Sequence, residues 1–138
     1  MISILVVEDN KLVQELIALI VFQEFGIETI QSYELAQAKR DLLMESPDLI
    51  ILDLNLLNRG IVESGKDLLE WMKSKNNVIP TILFSGEKNE AVYIECASIG
   101  IIDVIYKEAD TFHSDLINSI STFIKSQALI HNNNSWLI

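Results

Sequence analysis

A few side chains with chemistry to offer stand at the ends of apolar runs in this chain. Glu8 and Asp9 follow residues 2–7, Asp53 follows 49–52, Ser85 follows 79–84 and Lys107 follows 101–106. Three carboxylates drawn to within a few Å repel by about 4 kcal/mol per pair at about 4 Å and an effective dielectric of about 20. Gathered together, they either take up protons or hold a cation. An all-oxygen ligand set with room for water suits Mg2+. One reaction uses the whole set: the Asp53 carboxylate attacks a phosphoryl group and becomes an aspartyl phosphate. A cation and Lys107 would then oppose the charge on the transferring oxygens, with Ser85 adding a hydroxyl donor. A carboxylate is ionised at neutral pH, so no separate general base is needed.

This chemistry requires elements that bring the strand ends to one place. Leu49-Ile50-Ile51-Leu52 is apolar without alternation, the pattern of a strand buried on both faces of a parallel sheet. In open α/β sheets, the ligand crevice lies outside the carboxyl ends of such strands. Residues 2–7 predict a first strand, with Asn10 as the N-cap of a helix carrying Leu12, Val13, Leu16, Ile17, Leu19, Ile20 and Phe22 and stopped by Gly26. Residues 27–30 predict a short second strand, and Ser32 is expected to cap a helix with Leu35, Ala38, Leu42 and Leu43 inward. The strand to Asp53 comes third, and residues 54–60 are expected to be loop. Ser64 and Asp67 predict a capped helix bearing Leu68, Leu69, Trp71 and Met72. Residues 79–84 make a fourth strand, with Pro80 near its start. A helix is expected through Ala91, Val92, Ile94, Cys96, Ala97 and Ile99, closed by Gly100. Residues 101–106 form a fifth strand, and a last helix begins near Ala109. Five strand–helix repeats imply a parallel sheet with right-handed crossovers.

The 138 residues suit one domain, expected over 1–130, with 131–138 as a tail or the start of a linker. Hydrophobic content of 49% and mean hydropathy of +0.28 indicate a folded globular protein. Twenty acidic and ten basic residues leave a net charge of −10, which opposes binding to nucleic acid or anionic membranes. The single Cys96 precludes an internal disulfide and is expected to be a buried, inert thiol. No signal-peptide pattern or apolar run of about 20 residues is present, so a soluble cytoplasmic protein is expected. His113 and His131 lack ligand partners at useful spacing and are expected at the surface; Arg59 is expected to be a solvated loop charge.

The acidic pair Glu8-Asp9, Asp53 after Ile-Ile-Leu, Ser85-Gly86 and Lys107, in this order, resemble the receiver domains of two-component response regulators over residues 1 to about 128. The resemblance implies a doubly wound (βα)5 flavodoxin-like three-layer sandwich with strand order 2-1-3-4-5. It implies that Asp53 is the phosphoacceptor, Ser85 the switch hydroxyl and Lys107 the charge partner of the phosphate. Mg2+ would be held by Asp9, Asp53 and the Asn55 backbone carbonyl, with Glu8 acting mainly through water. The implied partners are a histidine kinase or phosphotransfer protein, and a downstream effector or a second copy of the chain. The implied activity is Mg-dependent self-phosphorylation and autodephosphorylation.

The chain departs from that family pattern at three places. Glu108 follows Lys107 where Pro is usual, so a trans bond is expected there. Val104 takes the place of the switch aromatic three residues before the Lys, and Tyr106 is expected on the opposite strand face. Gly65 comes about four residues late, so residues 58–64 are expected to be an insertion beside the site. A receiver-like interaction module with an altered or absent phosphoswitch is therefore the alternative reading. A dehalogenase-like phosphatase is disfavoured, because it places Asp-x-Asp where this chain has Asp53-Leu54-Asn55. Dinucleotide binding is excluded by the lack of a glycine-rich turn after the first strand.

Overall fold

The computed structural model describes residues 1–86, 97 and 99–134. Strands β1 (Ile4–Val7), β2 (Ile30–Ser32), β3 (Leu49–Leu52), β6 (Thr81–Ser85) and β7 (Ile101–Tyr106) form a parallel sheet in the order β2-β1-β3-β6-β7. Counting only these five gives the expected 2-1-3-4-5. β1 and β3 are buried along their whole length, which explains their unbroken apolar sequence. The core lies in two layers, one on each face of the sheet. Helices α2 (Leu35–Glu45) and α3 (Gly65–Ser74) cover one face, where Leu42, Leu68, Leu69 and Met72 meet Leu5, Val7, Ile50 and Leu52. Helices α1 (Lys11–Phe25) and α4 (Phe112–Asn134) cover the other, where Ile17, Ile20, Leu116 and Ile120 meet Ile4, Val6, Ile51 and Ile82.

α1 begins as expected: the Asn10 Oδ1 accepts from the Leu12 and Val13 N–H groups at 2.9 and 3.2 Å. It ends at Gly26, whose left-handed φ of 67° lets its N–H reach the Phe22 carbonyl. Its inner face is Ile17, Ile20 and Val21, while Leu12, Leu16, Leu19 and Phe22 are exposed. The apolar periodicity therefore runs around more of this helix than the core uses.

Two short segments fall elsewhere than expected. The second strand is Ile30–Ser32 rather than 27–30, because pairing of Leu5–Val7 with residues 30–32 sets the register. Ser32 is thus a buried strand residue whose hydroxyl donates to Asp41 Oδ2, not the helix cap. Glu34 takes the N-cap position without a side-chain bond, and the Gln37 side chain accepts from the Tyr33 N–H at 2.9 Å instead. Ser64 does cap α3, accepting from the Lys66 N–H at 3.3 Å. Pro80 lies just outside β6, where its carbonyl accepts from Ile50.

The expected loop after Asp53 is an antiparallel hairpin of β4 (Asn55–Asn58) and β5 (Ile61–Ser64). Arg59 and Gly60 form its two-residue turn with φ of 52° and 80°. Positive φ at both central residues is the type I′ geometry that matches strand twist, and Gly60 follows the known preference. Trp71 packs on the core with Lys39 above its ring, and His113 is exposed as expected. No helix among the described residues is long and apolar enough to cross a membrane. The expected helix through Ala91 to Cys96, with its thiol, and the side chain of His131 lie outside the described residues.

Candidate functional site

The carboxyl ends of β1, β3 and β7 deliver Glu8, Asp9, Asp53 and Lys107 to one cleft of about 400 Å³, lined also by Asn55 and by Gly86 after β6, while Ser85 lies buried and does not line it. The ladders continue past the strands: the Asp53 N–H donates to the Val7 carbonyl at 3.0 Å, and the Lys107 N–H to the Ser85 carbonyl at 2.9 Å. These bonds fix the backbone from which both side chains project. Glu8, Asp9 and Asp53 offer carboxylate oxygens that all lie within 4.8 Å of one another. The Lys107 ammonium donates to Asp53 Oδ2 at 2.8 Å and to Glu8 Oε1 at 2.5 Å.

Burial sets the electrostatics. Glu8 is 1% exposed, and its carboxyl is pushed up to about 8, first by burial and next by its hydrogen bond and charge coupling with Asp53. Lys107 opposes that rise without cancelling it. Burial alone would lower the Lys107 ammonium, but its bonds to Asp53 and Glu8 outweigh this and hold it above the ordinary lysine value. Among the described residues, one cation thus faces three carboxylates. Glu8 Oε2 is buried and has no hydrogen-bond partner among the described residues. A buried acceptor left this way is costly, and a divalent cation beside it would meet that need. The donor set is all oxygen and part-exposed at Asp9, so it fits Mg2+.

Asn55 reaches the site through its backbone, its N–H donating to Asp53 Oδ1 at 3.1 Å. Ser85 is fully buried at the end of β6, paired in register with Tyr106 of β7. This corrects the expectation for Tyr106. Val104 packs on the α2/α3 side of the sheet and Ile105 on the other. The two-residue period of a strand then returns Tyr106 to the face of Val104, beside Ser85. The peptide bond between Lys107 and Glu108 is trans, as expected. Phe84 lies under the Lys107 ammonium, 5.5 Å from its ring centroid, and packs against Phe112 at 6.4 Å. A cation–π contact of this kind helps hold the lysine arm. Arg59 sits at the exposed hairpin tip and does not line the cleft.

The supporting roles of three residues escaped the sequence reading. Gln14 is fully buried on α1, and its Nε2 lies 2.9, 3.2 and 2.8 Å from the carbonyls of Val6, Glu8 and Ser32. It clips the ends of β1 and β2 behind the acidic pair. A polar residue at i−3 from the core residue Ile17 was the available signal. Gly65 supports Asp53: its N–H donates to the Leu54 carbonyl at 2.7 Å, closing the base of the hairpin. A Cβ at this position would lie 2.3 Å from the Asp53 carbonyl oxygen and 3.1 Å from Leu54 Cα. Those are backbone atoms, so Gly65→Ala is expected to destabilise the protein by about 1–3 kcal/mol in urea unfolding. Wild-type stability would show that the hairpin base yields freely. Phe84 was seen only as a strand residue, because nothing in its spacing marks a lysine above it.

A twisted parallel sheet with helices on both faces and an acidic cleft at its carboxyl edge, closed by a lysine, defines a class of α/β signalling domains. The chain belongs to the response regulator receiver domain family, which it matches over residues 4–120. It is 25% identical over 121 residues to the CAI-1 autoinducer sensor kinase/phosphatase CqsS of Vibrio cholerae, covering 88% of this chain and 17% of that protein. The chain therefore spans about a sixth of the length of that relative. Among solved structures it is similar to NtrX of Brucella abortus, with 26% identity, a TM-score of 0.78 and coverage of 96% of this chain and 29% of that one. It also resembles the response regulator domain of Thermotoga maritima CheB, with 20% identity, a TM-score of 0.75 and coverage of 91% and 95%.

Proposed function

We propose that the protein is a phosphoreceiver of a two-component or phosphorelay system, with Asp53 as the phosphoacceptor. The observation that carries this reading is the Lys107 ammonium held against both Asp53 and Glu8 amid three carboxylates. An Asp53 carboxylate oxygen attacks the phosphorus of a phosphohistidine on a kinase or phosphotransfer protein. The new O–P bond forms as the N–P bond breaks, and the electron pair leaves with the imidazole. Lys107, already 2.8 Å from Asp53, needs only a small movement to meet a phosphoryl oxygen. Glu8, Asp9, Asp53 and the Asn55 carbonyl would hold Mg2+, which supplies positive charge against the transferring oxygens. Attack of water on phosphorus later breaks the O–P bond to Asp53, releasing inorganic phosphate and restoring the carboxylate.

The added phosphate brings nearly two negative charges and strong acceptors. Ser85 and Lys107 turn toward it, and Tyr106, next to Ser85 in register, carries the change to the outer face of β7. A downstream effector or a second copy reads that shifted population. Retention of an aromatic beside Ser85 favours this switch over a passive interaction module. The reading treats 1–130 as the receiver unit, with 131–138 as a tail or linker start, and sets the protein in the cytoplasm.

Acetyl phosphate with Mg2+ is expected to add one phosphoryl group, measured by intact-protein mass. Chelation of Mg2+ with EDTA should abolish uptake, and excess Mg2+ should restore it. Uptake undiminished in EDTA would remove the metal from the reading, and no uptake with Mg2+ present would remove the reading itself.

A further inference from the structure

We propose that the outward face of the β4–β5 hairpin is a docking surface for the protein that donates the phosphoryl group. This rests on the assignment of Asp53 as phosphoacceptor and adds how the donor is held. The hairpin is a built element. Four cross-strand pairs run from Asn55↔Ser64 to Asn58↔Ile61, and the type I′ turn and the Gly65–Leu54 bond close its two ends. Its inner face is anchored by Leu56, fully buried, with Glu63 opposite. Strand alternation puts Asn55, Leu57, Val62 and Ser64 on the other face. Leu57 and Val62 are a direct pair there and are 56% and 66% exposed. That face holds no carboxylate, in a chain of net charge −10. An apolar pair flanked by uncharged polar residues has the composition of an interface core and rim.

Position decides the occupant. Asp53 is only 5% exposed, and the reacting phosphorus must come within about 3–3.5 Å of its carboxylate. A small acyl phosphate fits inside the cleft and touches nothing beyond it. A phosphohistidine on a protein reaches Asp53 only when the surrounding protein surface lies on the cleft rim. Asn55 is part of that rim, and the Leu57–Val62 pair stands two residues further on, about 7 Å by strand rise. The donor is therefore a protein with an apolar patch beside its phosphohistidine, and that patch covers Leu57 and Val62.

The test compares wild type with Leu57→Thr/Val62→Thr, which places a β-branched residue of high strand propensity at both positions and so keeps the hairpin. Two phosphoryl sources are used: acetyl phosphate, and the purified protein donors of the source organism taken one at a time, namely histidine kinases autophosphorylated with ATP and phosphotransfer proteins loaded from a phosphorylated kinase. Acetyl phosphate should label both proteins at equal rates. The protein donor fastest on wild type should slow by at least about tenfold on the variant. Equal transfer from that donor overturns the proposal. A slowing shared by acetyl phosphate also overturns it, since the hairpin would then act on the site itself. Wild-type dimerisation lost in the variant, with transfer unchanged, would assign the face to a second copy instead. Failure of every source to label wild type would remove the phosphoacceptor reading; labelling by acetyl phosphate alone would leave that reading standing and remove this one.

Discussion

Asp53→Asn takes up no phosphoryl group from acetyl phosphate or from a phosphorylated kinase, while remaining folded. An amide oxygen of the same shape is not a nucleophile at neutral pH, so uptake should fall below detection. The fold should tolerate the change for an electrostatic reason. Asp53 is one of three carboxylates within 4.8 Å, and it helps push Glu8 up to about 8. Removing its charge relieves that repulsion and leaves Lys107 bonded to Glu8. Thermal unfolding without metal should therefore occur at or above the wild-type temperature. Mass spectrometry and a melt decide the matter together. Labelling of the Asn variant would place the acceptor elsewhere, and a collapsed melt would show that Asp53 holds the fold as well as the site.

Lys107→Met slows phosphoryl uptake by about 10²–10³-fold, the cost of losing one preorganised donor to developing charge. Met keeps an apolar stem over Phe84 and removes only the ammonium. The same variant should lose about 3 kcal/mol of stability in metal-free buffer, because two buried carboxylates lose their cation. Mg2+ should recover much of that loss, since a ligand bound only to the folded state stabilises it. The measurements are uptake rate and urea unfolding, each with and without Mg2+. Uptake within about twofold of wild type would deny Lys107 any role on the phosphate. Stability unchanged in the absence of Mg2+ would mean that protonation of Glu8 alone relieves the cluster.

The two predictions draw on residues that were legible before any coordinates. The Glu8-Asp9 pair and Asp53 each end an unbroken apolar run, and such runs become the central strands β1 and β3, while Lys107 ends the edge strand β7, whose run Asp103 interrupts. With the strand order that the resemblance to receiver domains implies, convergence of their ends was a geometric consequence. Helix starts at Asn10 and Ser64 were equally plain, because capping depends on a few neighbouring residues.

What escaped was non-local. Strand β2 lies at Ile30–Ser32 because β1 pairs there, and pairing partners are not written in local composition. Ser32 consequently looked like a cap and is a buried strand residue. Residues 54–60 carry Asn, Arg and Gly and looked like loop, yet Arg59-Gly60 is the two-residue turn of a hairpin whose second strand begins at Ile61. Gln14 and Gly65 contribute through contacts made by folding: three carbonyls around one amide, and an Asp53 backbone too close for a methyl group.

The sequence by itself determined the α/β class and the set of groups at the carboxyl edge, while the strand order came only as what the resemblance to receiver domains implies. The class and the groups follow from hydrophobic periodicity and from residue types at run ends, which are local properties. Only the tertiary structure decided that Lys107 spans Asp53 and Glu8 despite Glu108 behind it, that Tyr106 stands beside Ser85, and that a hairpin rises at the mouth of the site. Each depends on register and packing between distant segments, where a shift of one residue would turn a side chain to the other face.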